Sequence, residues 1–176
     1  MSTTLLYALI MAIAQIVVVL IGFFLGYQTD KMSSGTWYGF VPLVVAIVVL
    51  VLGIKAVREE QEGKYLTYGK GVGTGMLIGL YSGLIAAVYT YIHFTYVNPE
   101  FADYMIQASR IKWATAGMQE SQMEGAEKFI RVLFKPWVQS LLGLFIGIFF
   151  NLILSLIIAA FLKRNRPDAD KVTASS

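Results

Sequence analysis

The chain has 176 residues, 57% of them hydrophobic and 14% charged, with a formal net charge of +3 and no cysteine. A soluble domain carries roughly 25% charged residues, whereas here the windows Met1–Thr29, Ser33–Ile54, Gly71–Pro99 and Trp137–Leu162 contain no Asp, Glu, Lys or Arg at all. That distribution excludes a soluble core and points to an all-α membrane protein; the missing cysteine excludes disulfides and thiolate chemistry, and basic residues gathered at the ends of apolar runs do not make a nucleic-acid surface.

The first predicted span covers Leu5 to Tyr27. At 1.5 Å per residue it reaches roughly 35 Å, enough for a hydrocarbon layer of roughly 30 Å. No basic residue precedes it and it ends in Phe-Phe-Leu-Gly-Tyr, so an uncleaved helix is expected rather than a signal peptide. Gln15 is its one strongly polar side chain and can bond to a neighbouring helix. A short connection leads to Trp37 and Tyr38, which suit a headgroup layer, and to a second span of about 37–54 with Pro42 in its first turns. This helix is expected to run on to about Glu62 and to stop at Gly63.

The third predicted span, about 71–97, opens with "GKGVGTGMLIGLYSG". A phosphate-binding loop would need Gly five residues before Gly69, where Lys64 stands; a dinucleotide fingerprint would need Gly at Thr74 or Met76. Neither motif is present. Instead Gly71, Gly75, Gly79 and Gly83 recur every four residues on one helix face. Such a groove lets a partner backbone approach closely in lipid, where apolar burial supplies little drive between helices. Leucine at Gly75 or Gly79 is expected to push the partner away, and alanine to do much less. Gly143 and Gly147 repeat the spacing in the fourth span, and Gly22 and Gly26 do so in the first.

His93, the only histidine, lies in an aromatic belt of Tyr89, Tyr91, Phe94 and Tyr96. Zinc would need three or four ligands that one histidine and no cysteine cannot supply, so a hydrogen-bonding role is expected. Asn98-Pro99-Glu100 reads as a helix start. The segment 98–136 is polar and amphipathic, broken near Gly117 or Gly125, with a second short helix around Ala126 to Phe134 that lies on the membrane surface or over the bundle. Glu120, Glu124 and Glu127 share a face there, expected to be solvated rather than to hold a metal. The fourth span, about 137–162, carries Asn151 near its middle, a polar amide that needs a partner at that depth. Residues 163–176 read as a disordered tail.

These readings describe one four-helix membrane domain, 1–162, followed by the tail. Lys55, Arg58, Lys64 and Lys70, with Lys163, Arg164, Arg166 and Lys171, place both termini in the cytoplasm by the positive-inside rule. The five basic residues of 98–136, offset by five acidic ones, run against that placement.

The run "GKYLTYGKGVGTGMLIGLYSGLIAAVYTYIHFTYVNPEF" resembles the signature of a bacterial membrane family, domain of unknown function 4199, found mainly in Bacteroidetes. Gly63, Lys64, Tyr65, Thr67, Tyr68, Gly69, Gly75, Gly79, Tyr91, Tyr96, Asn98 and Pro99 carry the likeness, which extends over about 5–162 when the order of spans is included. The resemblance implies a bacterial inner membrane and brings no activity, cofactor or catalytic residue. The expected function is structural or regulatory, with glycine-mediated helix contacts, membrane lipids as partners and self-association open. A small transporter or channel subunit is the alternative, with Asn151, Gln15 and His93 as its ligand or transport candidates. It is weakened by the lack of charge within the spans. A membrane enzyme would need a cluster of acids, bases or metal ligands that the sequence does not display.

Overall fold

Ser2 starts the first helix by accepting a hydrogen bond on its hydroxyl from the amide of Leu5, 3.3 Å away. In the computed structural model, which describes residues 1–32 and 36–165, six helices follow in chain order. They are α1 (Thr3–Phe24), α2 (Val41–Glu59), α3 (Tyr68–Ile92), α4 (Phe101–Thr115), α5 (Glu120–Leu133) and α6 (Pro136–Leu162). Four stretches, Thr3–Phe24, Trp37–Glu59, Tyr68–Val97 and Pro136–Leu162, are long and apolar enough to cross a membrane. The chain is therefore an all-helical membrane protein. The connection at 33–35 and the tail beyond residue 165 lie outside the described residues.

Helix ends differ from the sequence expectations where capping chemistry intervenes. α1 stops at Phe24, not Tyr27, because Gly26 takes φ +83°, a left-handed conformation, and lets Tyr27 and Gly26 donate back to Gly22 and Phe23. α2 ends at Glu59 rather than about Glu62; a separate short turn, Glu62–Lys64, carries Gly63 at φ +68°. Asn98 does not cap α4. A wide π turn, His93–Val97, extends α3 and is closed by the Asn98 amide on the His93 carbonyl, and the buried Asn98 side chain turns to the Gln28 carbonyl at 3.3 Å. The break in the distal segment falls at Gly117, φ +74°. Gly125 lies within α5, which begins at Glu120 because Gln119 and Gln122 form a capping box.

α3 is the central span. It packs most extensively on α6, then on α1 and α2, while α6 touches α2 less. The end of the bundle holding the start of α1 and the end of α6 is called here the terminal half; the opposite end is the distal half. The buried core, Ala8, Met11, Val49, Leu50, Ile54, Leu66, Ile78 and Ile158, sits in the terminal half. Leu66 and Arg164 exchange backbone hydrogen bonds, both 2.9 Å, so the α2–α3 connection is fastened to the end of α6. Arg58 donates to the Leu162 carbonyl at 3.4 Å, and the Lys70 ammonium bonds to Gln61.

The distal half is held differently. The Tyr38 hydroxyl donates to the Val18 carbonyl and its ring covers Gly22, so this glycine admits a tyrosine rather than a helix. Tyr27 stacks on Tyr38 at 4.9 Å between ring centres. α4 and α5 form a hairpin laced by Arg110 to Glu120 (2.9 Å) and Glu127, and by Arg131 to Asp103 (2.7 Å). The Glu127 hydrogen bond, then the Glu120 and Glu127 charges, raise the Arg110 pKa above its ordinary value. The hairpin is joined to the bundle by ring contacts running Phe94–Phe101–Phe134, with centres 4.7 and 5.5 Å apart.

Candidate functional site

The face of α3 that carries Gly71, Gly75, Gly79 and Gly83 lies along α6, and the register is regular. A methyl added at Gly71 would meet the Ala159 side chain at 3.0 Å, one at Gly75 the Ser155 β-carbon at 2.8 Å, and one at Gly79 would fall on the Asn151 side-chain amide. Each step of four along α3 is matched by a step of four back along α6, as antiparallel helices require. Ala159, Ser155 and Asn151 thus stand opposite three consecutive glycines. Gly53 of α2 makes a second close approach, where a methyl would press on Ile78 and Tyr7. Even alanine therefore cannot enter Gly75 or Gly79 without displacing a neighbour.

Asn151 is tied into this seam. Its Nδ2 donates to the Gly75 carbonyl at 3.0 Å and lies 3.9 Å from the Met76 sulfur. The Ser155 hydroxyl beside it is fully buried and has no hydrogen-bond partner among the described residues.

Continued further, the same register pairs Gly83 with Gly147 and Ala87 with Gly143, and the helices leave space. A methyl at Gly83 would meet the Leu144 side chain at 3.3 Å, while one at Gly143 or Gly147 would meet nothing within 4 Å among the described residues. These two glycines do not close the α3–α6 seam; they line a cleft of about 360 Å³ in the distal half. All four spans contribute to it, among them Gln15 and Val19 of α1, Pro42 and Ala46 of α2, Gly83 and Ala86 of α3, and Gly147 and Asn151 of α6. Its lining contains no charged residue and no histidine. Gln15 spans from α1 to α2, its Nε2 donating to the Pro42 carbonyl at 2.8 Å. Ser140 closes the distal edge, donating to the Ala87 carbonyl at 2.7 Å.

His93 is apart from the cleft. It is fully buried at the distal end of α3, edge-on to Phe23, with ring centres 5.8 Å apart. Its tautomer follows from its neighbours. Gln28 Nε2 donates to the Val19 carbonyl at 2.9 Å, so Gln28 Oε1 is an acceptor and His93 Nε2, 2.9 Å away, carries the proton. His93 Nδ1 is then an acceptor for the Tyr89 hydroxyl at 3.2 Å. The histidine is a latch between the ends of α1 and α3. Among the described residues no group of His, Asp and Glu could hold a metal ion; Glu120 and Glu127 are engaged by Arg110.

Gly53, Ser155, Ala159, Gln28 and Ser140 escaped the sequence reading, and Tyr38 was read only as an interfacial ring, without its contact to Gly22. Ser155 and Ala159 were detectable in principle, since with Asn151 they repeat every four residues as the α3 glycines do. No curated protein and no solved structure matches this chain. The model of one family, described as protein of unknown function (DUF4199), matches residues 6–164, and the chain belongs to that family.

Proposed function

We propose that the protein has a structural or regulatory role in the bacterial cytoplasmic membrane and does not conduct solutes. The observation carrying this reading is the solid terminal half. Ala8, Leu50, Ile54 and Ile78 are fully buried across three helices, and the α3–α6 seam beside them is closed by Ala159, Ser155 and Asn151. A conducting path would have to cross this layer, which offers no charged group to an ion. Both termini and the Lys55–Lys70 connection face the cytoplasm, and the α4–α5 hairpin lies outside. Membrane lipids, or a second copy, cover the apolar α6 face of Phe145, Ile146 and Phe149, which are more than half exposed.

The cleft favours a second reading, a small transporter or channel subunit in which the terminal half opens to complete a path begun by the distal cleft. Flux assays on the purified protein in sealed liposomes separate the two. The structural reading expects potassium, sodium, chloride and proton leak to match empty liposomes. Protein-dependent flux that Gly147→Leu abolishes would establish the transport reading instead.

A further inference from the structure

We infer that the distal cleft is a binding site for an uncharged, apolar small molecule that carries a hydroxyl group, held by that hydroxyl near the middle of the bilayer. The inference goes beyond the structural role above and does not depend on it.

The cleft is a product of side-chain choice. Along α3 and α6 its walls include Gly79, Ser82, Gly83, Ala86, Gly143 and Gly147. A side chain at Gly143 or Gly147 would start in open space, because among the described residues nothing lies within 4 Å of either β-position.

Its polar side chains are Gln15, Ser82, Thr90, Ser140 and Asn151, and the Ser82 and Ser140 hydroxyls already donate to the Gly79 and Ala87 carbonyls. Asn151 and Gln15 both line it, and the orientation of both amides is set by backbone carbonyls, which can only accept. Asn151 Nδ2 is committed to Gly75 and Gln15 Nε2 to Pro42. The two amide oxygens are left with no hydrogen-bond partner among the described residues. They are also not sealed off, since among the described residues the fully buried unpartnered side-chain atoms are Arg58 Nε and Ser155 Oγ. Two open acceptors in an apolar cleft call for a donor, because an unpaired polar group away from water is costly.

Depth and charge narrow the class. Asn151 lies roughly 17 Å from the Leu162 end of α6 and roughly 22 Å from its Pro136 end, at 1.5 Å per residue. A phospholipid headgroup stays at the interface and cannot reach that depth, and the uncharged lining offers nothing to an ammonium or carboxylate. A neutral alcohol, phenol or quinol on an apolar body fits both conditions.

The test uses the full chain in detergent and in lipid nanodiscs, with diazirine-bearing decyl alcohol as the photoactivatable probe and its methyl ether as control. The alcohol is expected to label cleft-lining residues, to be displaced by excess plain decanol, and to label about tenfold more than the ether, the value of one hydrogen bond. Gly147→Leu, with an unchanged melting temperature, is expected to remove the labelling. Gln15→Met, which keeps the side-chain length without the amide oxygen, is expected to narrow the gap between alcohol and ether. Mass spectrometry of molecules extracted with the purified protein is expected to find a neutral hydroxylated lipid or quinol enriched over the Gly147→Leu variant, and to tell which. Equal labelling by alcohol and ether, labelling spread over Phe145 and Phe149, persistence in Gly147→Leu, or enrichment of phospholipid alone would each overturn the assignment.

Discussion

The side-chain amide of Asn151 on α6 donates to the main-chain carbonyl of Gly75 on α3 at 3.0 Å, across a contact that only a glycine permits. The geometry is interdependent. Gly79 must lack a side chain for the Asn151 amide to sit where it does, and the amide then donates to the Gly75 carbonyl one turn away. Asn151→Leu removes the bond and forces a branched side chain against Gly79. We expect a loss of about 1–2 kcal/mol in stability, read as a lowered melting temperature in detergent. An unchanged melting temperature would deny the bond a structural role.

Ser155 makes the opposite case. Its hydroxyl is fully buried and has no hydrogen-bond partner among the described residues. Removing an unpaired buried donor relieves a desolvation penalty of about 1–3 kcal/mol and leaves no partner stranded. Ser155→Ala is therefore expected to match or exceed the parent in thermal stability. A marked loss would show that the hydroxyl has a partner at this position after all.

His93 gives a test confined to the distal end. Its Nε2–H donates to Gln28, and Gln28 in turn donates to Val19 and accepts from Asn98 on its backbone carbonyl. His93→Ala leaves a cavity among Phe23, Tyr89 and Phe94 and unpairs the Gln28 amide, a local cost of about 1–3 kcal/mol. Hydrogen exchange is expected to quicken at residues 25–32 and 93–100 while residues 49–57 of α2 keep their protection. Uniform acceleration through the whole bundle would contradict the reading of a distal latch.

Orientation is testable because the chain has no native cysteine. With the termini in the cytoplasm, Glu124→Cys is expected to react with an impermeant maleimide on intact cells, and Glu62→Cys only after lysis. The reverse pattern would invert the protein in the membrane.

Much of the bundle was legible because lipid leaves few options. An uncharged apolar run has to be a helix, and four such runs give four spans. The Gly71–Gly83 repeat was visible for the same reason, since a four-residue spacing marks one face. Its partner was not visible. Nothing in the one-dimensional pattern says that α6 rather than α1 lies on that face. The opposing ladder of Asn151, Ser155 and Ala159 mixes an amide, a hydroxyl and a methyl, which no composition rule groups together. Helix ends were misplaced where a single residue decides them: Gly26 ends α1, and the Gln119–Gln122 box starts α5 ahead of Gly125. Asn98 had the composition of a cap, but its side chain was drawn to Gln28, seventy positions away in the chain. Gly143 and Gly147 carried the same motif as the α3 glycines with a different outcome, because among the described residues no side chain lies over either of them, whereas Ala159, Ser155 and Asn151 lie over Gly71, Gly75 and Gly79.

The contrast between the closed seam and the open cleft is measured by the melting temperatures of Gly79→Leu and Gly147→Leu in the same detergent. Both place the same side chain in the same pair of helices. Gly79→Leu has to displace the Asn151 amide and part α3 from α6, and is expected to lose several kcal/mol or fail to fold. Gly147→Leu enters open space, buries apolar surface, and is expected to melt at the parent's temperature or above it. Equal destabilisation by the two variants, or a greater loss at Gly147, would contradict a bundle closed in its terminal half and open in its distal half.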